Sequence, residues 1–109
     1  MKVAIIGSRN ITKINLEEYV PKEATEIVSG GAKGVDTLAK EYALSHGIPL
    51  REFLPEYQKY GRGAPILRNK QIVDYADTVL AFWDGVSRGT KSVIEYAKTK
   101  KKECVVTII

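Results

Sequence analysis

The sequence predicts a doubly wound α/β domain spanning residues 1–109, in three layers, with a five-stranded parallel sheet of order 3-2-1-4-5 and four helices. Three observations lead there. Apolar strand-like runs alternate with helix-period segments from end to end. The first run, Val3 to Ile6, is continuously apolar, as in a strand buried on both faces. Three runs then end in short polar segments that carry glycines and hydroxyls: Gly7-Ser8-Arg9, Ser29–Asp36 (SGGAKGVD) and Asp84–Thr90 (DGVSRGT).

Each element has a local reason. Lys2–Ile6 is the first strand. Asn15–Val20 is expected as a short helix, with Asn15 as N-cap, Glu18 three residues on, and Pro21 as its stop. Glu26–Ser29 is the second strand. Gly34–His46 is a helix, because Val35, Leu38, Ala39, Tyr42 and Ala43 recur at three- and four-residue steps. Gly47 and Pro49 end it. Pro49–Leu54 is a half-alternating strand, suited to an edge. Pro55–Ala64 shows neither period and is expected as a loop, a lid or an interface, with Tyr57, Tyr60, Gly61, Arg62 and Gly63 in it. Pro65 opens a helix to Tyr75. Thr78–Trp83 is the fourth strand, Thr90–Lys101 a helix capped by Thr90, and Val105–Ile109 the fifth strand.

Right-handed crossovers make the chain wind out one way, return, and wind out the other. Ligands bind such sheets where the order reverses, here between strands one and four, beyond the carboxyl ends of the strands. The three polar segments are predicted to meet there. Backbone N–H groups at helix starts attract anions, and glycine permits close approach.

Composition narrows the classes. At 109 residues with 44% hydrophobic content, the chain supports one core. No apolar run approaches the ~20 residues of a membrane span, and the N-terminus reads as a strand rather than a signal peptide. The single cysteine, Cys104, excludes an internal disulfide, suits a cytoplasmic location, and is expected as a buried, inert thiol. The net charge of +4 is concentrated at Lys98, Lys100, Lys101 and Lys102, where cations complement a helix C-terminus. Charge alone argues weakly for nucleic acid. No Cys, His and carboxylate cluster has metal-ligand spacing, no cofactor is implied, and His46 is expected to face away from the crevice.

Gly30, Gly31 and Gly34 bracket the turn into the second helix, and Asp36 sits in its first turn, to cap it or to hold a ribose hydroxyl. This is neither the dinucleotide fingerprint nor a P-loop: strand one carries only Gly7, and no Gly-Lys-Ser/Thr occurs. Arg9 after Ser8 is placed to fork onto phosphate or carboxylate. Asp84, Gly85, Ser87, Gly89 and Thr90 form the facing loop. Trp83 either stacks on a base or sugar or packs on the last helix. Arg68 and Asn69 are expected on the wet face of their helix. Tyr60 is a second candidate to cover a base. Asp36 and Asp84 are the carboxylates nearest the crevice.

The ordered set Gly7-Ser8-Arg9, Ser29–Asp36 with Leu38-Ala39, Arg68-Asn69, Ala76-Asp77 and Trp83–Thr90 resembles the YspA-like branch of the SLOG superfamily. That superfamily also holds the DNA-processing protein A Rossmann domain and the Lonely-guy phosphoribohydrolases. The resemblance implies a Rossmann-like fold and a site for nucleotides or nucleotide-derived ligands, and it strengthens Arg68 and Asn69 as site residues. The chain departs from the phosphoribohydrolases. Their Pro-Gly-Gly-x-Gly-Thr loop is Trp-Asp-Gly-Val-Ser-Arg-Gly-Thr here, and the first carboxylate after Thr90 is Glu95, about 140° round the helix. A sensor or binding module for a nucleotide-like small molecule leads. A phosphoribohydrolase-like enzyme, with Asp84 or Asp36 as weak candidates for the acid, is second. Single-stranded nucleic-acid binding is third. Pairing into a homo-oligomer is an open expectation.

Overall fold

The computed structural model describes residues 1–109. Five strands, β1 (Lys2–Gly7), β2 (Glu26–Ser29), β3 (Leu50–Glu52), β4 (Thr78–Trp83) and β5 (Glu103–Ile108), form one parallel sheet of order β3-β2-β1-β4-β5. Gly7 pairs with Phe82 and Ser29 with Glu52. The strands therefore end near one level, and their exit loops emerge along a single border of the sheet.

Side chains alternate across this sheet into two cores. Val3, Ile5, Ile27, Leu80 and Phe82 meet helix α1 (Val35–Ser45) through Val35, Ala39 and Ala43. Ala4, Ile6, Val28, Val79 and Ala81 meet α3 (Ala64–Tyr75) through Ile72 and Val73, and α4 (Arg88–Thr99) through Val93 and Ala97. Alanines on both sides of the second contact let the helices approach closely.

Several expectations are corrected. The first crossover holds no full helix, only a 3-10 turn at Leu16–Glu18. Asn15 does not cap it; its amide donates to the Glu18 carboxylate at 3.3 Å. Six residues before a proline are too few to sustain a helix, yet Ile11, Leu16 and Val20 are buried and close the first core. β3 is only Leu50–Glu52. Pro55–Ala64 is ordered as a one-turn helix, α2 (Tyr57–Tyr60), and a 3-10 turn at Gly61–Gly63. None of those residues is buried, so no apolar period marks them. α4 starts at Arg88, two residues ahead of Thr90. β5 begins at Glu103, and Cys104 is half-buried, its thiol pushed up by burial.

β5 pairs only with β4. Val105 (49%), Val106 (40%) and Ile108 (62%) stay exposed on this edge, although the run is as apolar as a central strand. Removing Ile5, fully buried, by Ile5→Ala is expected to cost about 2–5 kcal/mol. Val105→Ala at the edge is expected to stay within about 1 kcal/mol. Urea midpoints of the two variants check the contrast.

His46 closes α1. Its Nε2 donates to Glu17 Oε1 at 2.9 Å, and its ring stacks on Tyr42. The Glu17 bond raises the imidazole above its ordinary value. The stability it contributes is thus fully present below about pH 6.5 and is lost as pH rises through the raised value. Wild type should therefore gain stability over His46→Gln on going from about pH 8.5 to about pH 5.5, read by thermal unfolding at the two pH values. A constant difference would contradict the pairing.

Candidate functional site

The reversal of strand order between β1 and β4 is closed by Ser8. Its N–H donates to the Phe82 carbonyl at 3.1 Å, and its hydroxyl accepts the Asp84 N–H at 3.2 Å. Ser8 is 1% exposed, so it seams the two strands and does not face the cleft. A Cβ on Gly7 would overlap the Phe82 carbonyl and the Val35 side chain. The chain needs glycine there to let α1 start against β1. Arg9, next in line, is exposed.

Beyond β2, the turn reaches α1 through Gly34, whose φ is +71°. A side chain at Gly34 would also collide with the backbone of Ser8 and Arg9. Ser29 is fully buried. Asp36, in the first turn of α1, accepts the Ala32 N–H at 3.0 Å through Oδ2. Burial pushes its carboxyl up, against the opposing pulls of that bond and of Arg68.

Arg68 is buried, which corrects the expected wet face. Its Nη1 donates to the Gly30 carbonyl at 2.6 Å, and its Nε donates to Asn69 Oδ1 at 2.8 Å. A Cβ on Gly30 would stand 2.7 Å from Nη1 and 3.0 Å from Asp36 Oδ2. Gly30 therefore lies between guanidinium and carboxylate, which make no ion pair with each other; the one ion pair of the chain is His46 with Glu17. Arg68 Nη2 makes no hydrogen bond within the protein, and no buried side-chain polar atom lacks a partner. Nη2 is consequently open to the cleft.

After β4, Asp84 Oδ1 accepts the N–H groups of Val86 at 3.0 Å and Ser87 at 2.8 Å. These bonds hold its carboxyl below the usual range. Asp84 thus shapes the loop before α4; both partners precede the helix, which carries no side-chain cap, so the cap expected of Thr90 is not made. Thr90 is buried at 4%. Trp83 Nε1 donates to the Ser87 carbonyl at 3.0 Å, which turns the indole onto its own loop.

The loops enclose a cleft of about 470 Å³. From the first loop it takes Gly7, Arg9 and Asn10; from α1 and its turn, Ala32 and Asp36. α3 adds Pro65, Arg68 and Asn69; the β4 loop adds Asp84, Ser87, Gly89 and Thr90. A second hollow of about 280 Å³ adjoins it and shares Arg9, Ala32 and Arg68. Gly30, Gly31, Lys33, Pro55 and Tyr57 complete that hollow. Ser8, Ser29, Gly34, Trp83 and Gly85 line neither. Nor does Tyr60, while Glu95 is exposed on α4. Asn10 and Lys33 were not singled out from sequence, although Lys33 lies inside the SGGAKGVD segment; Tyr57 was named only as part of the Pro55–Ala64 lid or interface. No His, Cys and carboxylate group is arranged to hold a metal.

This is a Rossmann-like α/β protein whose glycine-bearing loops border one cleft at the switch point. Residues 1–60 match the family model described as the YspA, cpYpsA-related SLOG family, YAcAr, and the chain belongs to that family. No curated protein and no solved structure matches it significantly. The matched region carries the first two loops; α3 and the β4 loop lie beyond it. The place of Arg68, Asn69 and Thr90 at the cleft accordingly rests on the fold itself.

The glycines separate into two kinds. Gly34→Ala should destabilise the protein by about 1–3 kcal/mol, because its positive φ and its contacts both forbid a Cβ. Gly89 meets nothing within 4 Å, so Gly89→Ala in the first turn of α4 should leave Tm unchanged or raised. Paired thermal unfolding curves check this.

Proposed function

We propose that the cleft binds a nucleotide or nucleotide-derived phosphate ligand, and that the protein serves as a sensor or binding module. The carrying observation is the convergence of three loops on one cleft with two guanidinium groups, Arg9 and Arg68, that have no carboxylate partner. Unpaired cations beside glycine turns favour a bound anion. Gly30, Gly31 and Gly89 offer close backbone approach, and Ser87, Thr90, Asn10 and Asn69 offer uncharged hydrogen-bonding groups. Asp36 is placed to accept a ribose hydroxyl. Membership of the SLOG family supports a nucleotide-related role.

An enzymatic reading, hydrolysis of a nucleoside monophosphate to ribose phosphate, has one observation in its favour. Asp36 lines the cleft with its carboxyl pushed up by burial, as a proton donor requires. Asp84 is a poor donor, since two backbone N–H groups hold it ionised. Release of free ribose phosphate that is lost in Asp36→Asn and kept in Asp84→Asn would favour this reading. The nucleic-acid reading draws no support from the cleft: Lys98, Lys100, Lys101 and Lys102 lie at the far end of α4 and beyond. No helix is long and apolar enough to cross a membrane.

Thermal unfolding against AMP, ADP, ATP, cyclic nucleotides, NAD, ADP-ribose and ribose 5-phosphate tests the proposal. A ligand at a hundred times its Kd adds about 2.7 kcal/mol, or roughly 10 °C in a domain of this size. The shift should shrink in Arg9→Gln. No shift with any compound at millimolar levels would contradict the proposal.

A further inference from the structure

The two hollows differ in charge. The cleft of about 470 Å³ holds both carboxylates, Asp36 and Asp84, along with Arg9 and Arg68. The hollow of about 280 Å³ is lined by Arg9, Lys33 and Arg68 and by no carboxylate. None of these three cations has a carboxylate within ion-pair distance. Glu52 stands behind the loop, where its Oε2 would lie 3.3 Å from a Cβ on Gly31, and it does not line the hollow. Three cations on one small concavity, with Arg68 among them facing the Asp36 charge across Gly30, concentrate a positive potential there.

Size sharpens the contrast. Whole small-molecule sites run from about 300 to 1,000 Å³. The larger cleft falls within that range, and the smaller one lies at its lower edge. The two share Arg9, Ala32 and Arg68 and so adjoin as compartments of one site. Part of the turn's backbone is already used. The Ala32 N–H is given to Asp36, and the Gly31 N–H faces Ser29 Oγ at 3.5 Å. The Gly30 and Lys33 N–H groups have no acceptor within the protein, and the side chains of Lys33, Arg9, Arg68 and Tyr57 line the hollow with them. Tyr57 rises from α2, which buries no residue in the protein, and is 57% exposed while lining the hollow.

Resting on the ligand reading above, the geometry points to a fixed orientation: the terminal phosphate of a phosphate monoester sits in the Gly30–Lys33 hollow, held by Arg9, Lys33, Arg68 and Tyr57, and the uncharged hydroxylated part lies in the larger cleft against Asp36 and Asn69. The β4 loop with Gly89 and Thr90 then borders the sugar or base and not the phosphate. The ligand class is a nucleoside or pentose carrying one terminal phosphate.

Calorimetric titration with AMP, ribose 5-phosphate and adenosine tests this on wild type, Lys33→Gln, Tyr57→Phe and Thr90→Val. Lys33 and Tyr57 are exposed, so their variants keep the fold, which unchanged Tm values verify. Lys33→Gln should weaken AMP and ribose 5-phosphate at least tenfold and leave adenosine unaffected. Tyr57→Phe should act in the same direction, several-fold. Thr90→Val should change AMP and adenosine by the same factor. Equal losses for AMP and adenosine in Lys33→Gln, or a phosphate-specific loss in Thr90→Val alone, would overturn the orientation while leaving the ligand reading intact. Failure of wild type to bind any of the three would remove both.

Discussion

A buried guanidinium is the constraint on which the candidate site depends. Arg68 reaches from α3 across to the loop after β2 and donates to the Gly30 carbonyl. Hydrogen bonds from a charged donor contribute roughly 1.5–3 kcal/mol, and removing one partner of a buried charge costs more. The bond does more than join two segments. It fixes the wall between the cleft and the smaller hollow, it requires glycine at position 30, and it leaves Nη2 facing outward. No carboxylate lies within ion-pair distance of it, and Asp36, across Gly30, offsets its charge without contact.

The two carboxylates of the cleft show how local geometry divides chemically identical groups. Asp84 receives two backbone N–H groups and stays ionised; its work is to shape the loop before α4. Asp36 receives one N–H group and is largely removed from water, so its proton is held more tightly. Only Asp36 retains a chemical option in the cleft, as acceptor for a hydroxyl or as carrier of a proton.

The sheet order and the meeting of the three loops were legible in the sequence because they follow from strand alternation, right-handed crossovers and the switch point. Gly34 was legible as a turn, and its positive φ explains it. What stayed hidden depended on tertiary contact. Arg68 shares a helix with ordinary polar residues, and only the fold reveals that its end is buried under Gly30. Tyr57 belongs to one turn of helix with no apolar face, so no period announced it. Thr90 reads as a cap because it is a hydroxyl before a helical pattern, but the helix begins earlier, at Arg88, with no side-chain cap. Trp83 looked free to stack until the Ser87 carbonyl claimed its N–H.

The central claim is that one ligand touches all three loops at once. The most direct measurement is an amide nitrogen–proton correlation NMR titration of the 15N-labelled protein with AMP. The account predicts that the signals of Arg9, Asn10, Gly31, Lys33 and Gly89 move together along one saturating curve, while those of β5 stay still. Shifts confined to a single loop, or movement concentrated at Lys98–Lys102, would contradict it.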